Sequence, residues 1–366
     1  MKIALLNVPP LLVRAGIVAL AGVAALAPGS PARIERWYSR GVYPGLQRVM
    51  TGASNMTSLA VVDVLLALAI LIAIVWIVIR VRARKSAGWG RVLLRLAGDA
   101  IVAAAVVYLV FLAGWGLNYR RVPLRETLDF DQARVTREAF VTLTTLAVDE
   151  LNRSHAPAHA SEWPALDTIQ GPLTPAFDAA GRDLGLSRPV VTGRPKRSLL
   201  SWYFRRAAID GMTNPFALEI LVNPDVLPFE RPMVVAHEWA HLAGFAEESE
   251  AGFVGWIACV RGGDQARYSA WLSLFMHLAA ELPKEDYAAA MTRLDPGPRD
   301  DLRAIVDRVR RSVPVVRSAA RRLYDGYLKA NRVESGVASY DEVVALVAGT
   351  HFGEGFVPRL RKLPQR

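Results

Sequence analysis

Apolar residues are distributed unevenly along this chain, and that unevenness predicts most of its layout. Three nearly continuous apolar stretches precede residue 118. They run roughly over 11–28, interrupted by Arg14, over 58–80 with Asp63 near its start, and over 96–117 with Asp99 near its start. About 20 apolar residues cross a hydrocarbon core of about 30 Å, so the second and third are long enough to span a bilayer. The first is shorter. Lys2, its apolar run and the small residues after it also fit a signal peptide. Beyond residue 118 the pattern becomes mixed, as in a folded water-facing domain of about 250 residues. We therefore expect an α+β, mostly helical protein with a membrane anchor over 1–117 and a soluble domain over 118–366.

Within 118–366 the periodicity predicts helices over Asp131–Arg153, Pro175–Leu184, Pro232–Leu242, Ala251–Val260, Arg267–Leu282 and Asp300–Leu328. Ser198–Phe204 and Ala217–Val222 are rich in β-formers and bounded by Pro, Gly and Asn, which predicts two strands. His155-Ala-Pro-Ala-His159 reads as an exposed loop.

Charge orients the anchor. The net charge is +10, and 52% of residues are hydrophobic. Arg80, Arg82, Arg84, Lys85, Arg91 and Arg95 lie between the second and third apolar stretches without an acid among them. The positive-inside rule places that connection in the cytoplasm and everything after Asn118 outside the membrane. The segment 29–56, with four Arg, is then an interfacial helix or loop on the outer surface. No helix-turn-helix, zinc-finger or RNA-binding signature accompanies the basic charge, so nucleic acid is not an expected partner. A single cysteine, Cys259, excludes an internal disulfide and a Cys-based zinc site.

The candidate chemistry sits at His237-Glu238-Trp239-Ala240-His241, an H-E-x-x-H run in a chain with only six His. On a helix, positions i and i+4 share a face, so both imidazoles can point at one ion. This is the zincin pattern, with two His as Zn²⁺ ligands and Glu238 as general base. Pro232 suits the first turn of a helix, and Gly244 suits its end. A catalytic zinc needs a third protein ligand, and Glu247, Glu248 and Glu250 all follow within ten residues. The competing reading is an amphipathic helix with a solvated acidic loop. Tyr268, Tyr324, Tyr327 and His351 are candidates for an oxyanion donor.

Several stretches resemble a family of bacterial membrane proteins known as domain of unknown function 3810. They are Trp115-Gly116-Leu117-Asn118-Tyr119-Arg120 with Pro123-Leu124, the His237–His241 run with Gly244, Glu248-Ser249-Glu250-Ala251, Tyr324–Asn331, and Gly336–Tyr340. The resemblance implies an N-terminal membrane anchor and a gluzincin-like metallopeptidase domain. It also implies Glu248 as the third ligand, ahead of Glu250 and Glu247. The position four residues on, where a polar group commonly supports a ligand His, is Gly252. The expectation is a multi-pass protein of the bacterial cytoplasmic membrane. It would be a zinc metallopeptidase acting on peptide or protein substrates outside that membrane, with His237, His241 and Glu248 on the metal and Glu238 as the base. The alternative, motivated by Gly252, is an inactive zincin fold used as a membrane-tethered binding or assembly module.

Overall fold

The computed structural model describes residues 9–82, 88–336 and 342–361. Arg84 and Lys85, residues 337–340 of the family-like segment and the end of the basic tail lie outside these. The protein is mostly helical. In chain order its helices are α1 (Pro10–Leu26), α2 (Pro31–Ile34), α3 (Tyr43–Asn55), α4 (Val61–Arg82), α5 (Trp89–Gly114), α6 (Leu124–Thr127), α7 (Arg137–His159) and α8 (Gln170–Asp183). They continue with α9 (Ser201–Ala207), α10 (Arg231–Leu242), α11 (Glu248–Val260), α12 (Asp264–Glu281), α13 (Lys284–Arg293), α14 (Pro296–Arg310), α15 (Pro314–Ala330) and α16 (Glu342–Gly349).

Helices α4 and α5 are long and apolar enough to cross a membrane. Their side chains are largely exposed, as lipid-facing residues are. Helix α1 reaches that length only with its continuation over Pro31–Asn55, which turns away by 113°. At one end of this bundle Asp99 of α5 accepts from Arg80 of α4 at 2.7 Å and pairs with Arg14 of α1. One carboxylate thus ties three helices together, and neither Arg is left unpaired in an apolar setting.

The opposite end is fastened to the rest of the protein. A three-stranded sheet has the order β1–β3–β2, with β1 (Pro195–Lys196) parallel and β2 (Gly211–Asn214) antiparallel to the central β3 (Glu219–Val222). Glu219 of β3 accepts the free N–H groups of Val61 and Val62 at 2.9 and 2.7 Å, so a sheet residue caps the start of α4. It also pairs with buried Lys196 at 3.0 Å. Asp63 accepts from Ser198 Oγ and the Leu199 N–H, the latter at 2.9 Å. The hydrophobic core runs without a break from Tyr43, Phe111 and Trp115 into α7, α8, α10, α11, α12 and α16.

The structure corrects three sequence expectations. Ser198–Phe204 is not a strand: α9 occupies Ser201–Ala207, with Phe204 and Ala207 buried. The Ser198 hydroxyl binds the Leu200 N–H and is itself held by Asp63, and this local bonding outweighs the β-propensity of Trp202 and Tyr203. His155–His159 is not a loop: α7 continues through it, with Pro157 inside its last turn. Asp300–Leu328 is two helices, because Pro314 opens a new one after α14 ends at Arg310. The remaining elements appear with shifted ends, and Ala217–Val222 contains β3.

Candidate metal centre

The site begins with the way α10 ends. Gly244 has φ +89°, a left-handed conformation that glycine adopts without strain. The Phe245 N–H reaches back to the Ala240 carbonyl at 3.1 Å, and the Gly244 N–H reaches the His241 carbonyl at 3.0 Å. This paired closure is the Schellman motif. It turns the Phe245 carbonyl back onto His241, 2.8 Å from Nδ1. Only a donor fits there, so Nδ1 keeps its proton and Nε2 is the nitrogen that becomes a ligand when the ring gives up its second proton.

Residues from the anchor and from the segment just after it complete this helix end. Trp115 Nε1 donates to the His241 carbonyl at 3.0 Å, and Tyr43 Oη donates to the Leu242 carbonyl at 2.8 Å. Arg121 donates to the Gly244 carbonyl at 3.0 Å, pairs with Glu35 at 2.8 Å and lies over the Phe245 ring.

Helix α11 supplies the carboxylate. Gly255 faces the backbone of Ala236 and His237, where a Cβ would come within 2.9 Å of the His237 nitrogen. The missing side chain lets α10 and α11 pack closely, and Glu248, seven residues earlier on the same face, meets the histidines. Glu248 Oε2 lies 3.0 Å from His237 Nε2 and 3.4 Å from His241 Nε2. The two rings are 4.8 Å apart and nearly perpendicular. Tyr324 of α15 donates to the other oxygen, Oε1, and stacks on Tyr327. His241 and Glu248 are buried and His237 is half-buried, so the cluster opens on the His237 side.

Electrostatics follow from this packing. Burial alone would raise the Glu248 carboxyl, but the two imidazoles override it and hold the group well below the usual carboxylate range. Burial likewise opposes charge on His241, yet Glu248 lifts its pKa to about 9. Glu238 moves the other way: burial raises its pKa, against the pull of the two His. Its carboxylate is pinned by Thr213 Oγ1, which donates to Oε2 at 2.8 Å. Gly211 lies against it too, because a Cβ there would sit 2.5 Å from Oε1. Both belong to β2, an edge strand of the sheet.

Of the sequence-predicted site residues, His237, His241 and Glu248 come together and Glu238 stands beside them. Glu250 does not join: it accepts the Leu124 N–H, and burial with the charge of Glu247 raises it to about 8. Glu247 faces Glu342 and Arg125 instead. Among the oxyanion candidates, Tyr324 touches the cluster, Tyr268 donates to Asp301, and His351 contacts Arg134. Gly252 packs against Val343, and the support expected there comes instead from the Phe245 carbonyl. The sequence reading missed Gly211, Thr213 and the anchoring roles of Tyr43 and Trp115. The glycine that follows Asp210 and opens a short strand was the one available signal.

Two imidazole nitrogens and an ionised carboxylate oxygen converging on one point suit a divalent ion such as zinc. A family model described as "Protein of unknown function (DUF3810)" matches residues 38–348, and the chain belongs to that family. No curated protein and no solved structure matches it.

Proposed function

We propose that the protein is a membrane-anchored zinc metallopeptidase that hydrolyses peptide bonds outside the cytoplasmic membrane. The observation that carries the reading is Glu248 Oε2 at 3.0 and 3.4 Å from the two His Nε2 atoms, with a second, separately held carboxylate alongside. His237, His241 and Glu248 would hold the ion. Bound zinc supplies Lewis acidity and lowers the pKa of a water it contacts to about 7.

The chain's own groups do the rest. Glu238 accepts the proton of the attacking water and returns it to the departing amine nitrogen. Burial makes that carboxylate a better base than an exposed one, and Thr213 keeps it aimed. The Phe245 carbonyl fixes the His241 tautomer, and Tyr324 orients Glu248. Strand β2 offers a backbone edge beside Glu238, where an extended peptide can add as a further strand.

Orientation supports an extracytoplasmic site. The centre is tied to the C-terminal end of α5 through Trp115, while Arg80 and Arg82 end α4 and Arg91 and Arg95 lie in the first turns of α5, at the opposite ends of those helices. The inactive-module alternative drew on the missing acid at position 252. The Phe245 carbonyl on His241 gives that ligand a support position 252 lacks, which favours the active reading.

The test uses the full chain in detergent, because Tyr43 and Trp115 help build the site. Elemental analysis should find about one zinc per chain fewer in His237→Ala and Glu248→Ala than in wild type and Glu238→Gln. Peptidase activity should be present in wild type alone. A Glu238→Gln variant that cleaves peptides at the wild-type rate would overturn the mechanism. A folded wild-type chain that takes up no zinc at this site would overturn the metallopeptidase reading.

A further inference from the structure

A second cluster of ligand-type side chains lies away from the H-E-x-x-H helix. Helix α7 brings His155 and His159 onto one face of its last turn, at the same i, i+4 spacing. Asp301 of α14 faces them. Its Oδ2 is 3.0 Å from His159 Nε2 and 3.6 Å from His155 Nε2, and the three ligand atoms lie within 4.8 Å of one another.

We propose that His155, His159 and Asp301 form a second binding site for a divalent transition-metal ion of the zinc class. Two imidazoles and one carboxylate, with positions left for water, are a donor set that Zn²⁺ and its first-row neighbours take.

Several features fit a built site better than a chance surface pair. The two imidazoles stack at 4.3 Å and 27°, so both rings turn the same edge toward Asp301. Tyr268 of α12 lies edge-on to both rings, at 5.5 and 5.6 Å, and Trp163 lies edge-on to His159 at 5.3 Å. Tyr268 Oη also donates to Asp301 Oδ2 at 2.5 Å, which fixes the carboxylate as the outer partners of metal ligands do. Gly297 makes room, since a Cβ there would come within 2.3 Å of His155 Cε1. Asp295 and Asp300 add negative charge around His155. The His side chains keep 26% and 31% of their exposure, enough for an ion and its waters to enter.

The ion would act as a strut. It would join the end of α7 to α14, whose Arg308 pairs at 2.7 Å with both Glu230 and Asp210, the residues that lead into α10 and β2. It would thus brace the layer behind the first centre without touching it.

The test is zinc binding to the metal-stripped full chain in detergent, comparing wild type, His159→Ala, Asp301→Asn and His237→Ala. Wild type should bind about one zinc per chain more than His159→Ala or Asp301→Asn. His237→Ala should keep this zinc, and added zinc should raise its melting temperature. That rise should vanish when Asp301→Asn is added, whereas a purely structural network would lower the melting temperature equally with and without zinc. Equal zinc in wild type and Asp301→Asn, or binding only at millimolar zinc, would overturn the proposal. Loss of zinc with His237→Ala alone counts against this site; loss with His159→Ala alone counts against the first.

Discussion

The chain carries two His–x–x–x–His pairs, and their environments diverge from the second residue onward. One reads His237-Glu238-Trp239-Ala240-His241, the other His155-Ala156-Pro157-Ala158-His159. Each pair shares a helix face and meets a carboxylate from another helix, and a tyrosine hydroxyl donates to each carboxylate. Around α10 the carboxylate side chain is only 1% exposed, a second carboxylate stands by, and a sheet edge runs past. Around α7 the carboxylate is 13% exposed, and the position matching Glu238 is Ala156. Spacing is enough to gather ligands. Hydrolysis also needs a base held apart from the metal and a place for the substrate backbone. On that argument the first cluster is the one we propose as a reaction centre, and the second the one we propose as a brace.

The largest expected effect tests that division. Glu238→Gln should lower kcat/KM by roughly 10²–10⁴-fold, the usual worth of a general base, with zinc retained. Ala156→Glu should confer no activity on the second cluster in a Glu238→Gln chain; restored cleavage there would erase the distinction. Next come the tyrosines. Tyr324→Phe should weaken zinc at the first centre by about 10- to 100-fold, and Tyr268→Phe should do the same only at the second. Competition with a chromophoric chelator reads both.

Gly211→Ala should displace Glu238 and cut kcat while leaving zinc affinity alone, whereas Gly297→Ala should weaken the second zinc and spare kcat. The smallest effect is in proton uptake by the metal-free chain, read by imidazole NMR. His241, with a pKa of about 9, gives a stabilisation fully present below its unfolded value of about 6.5 and lost as pH rises to about 9. His155 is shifted down by burial and by His159, so its contribution is present above about 6.5 and lost as pH falls through its folded value. Shifts of the same sign at both residues would contradict the two environments described.

The first cluster was more legible in sequence than the second for physical reasons. An i, i+4 pair with an intervening acid is a local pattern, and Gly244 marked the helix end. Glu248 was separable from Glu247 and Glu250 only through the family resemblance, because its approach depends on Gly255 and on Tyr324, 76 residues away. Thr213 and Gly211 gave little warning, since a four-residue edge strand has too few positions to show alternation. At α7, Pro157 suggested a break. The helix nevertheless runs through it to His159, and the two imidazoles on either side of it stack. Trp115 was visible as part of a family-like segment, but its hydrogen bond to His241 spans 126 positions and no local pattern reports it.

That bond bears on how the protein is made. Helices α1, α4 and α5 leave the ribosome before α10 exists. Tyr43, Trp115 and Arg121, which close the last turn of α10, are placed by how that anchor has settled. A copy with misplaced spans lacks the donors for the carbonyls of His241 and Leu242, so His241 is held less firmly there. On the proposed function, the centre would therefore be complete only in copies whose anchor has settled as it does here.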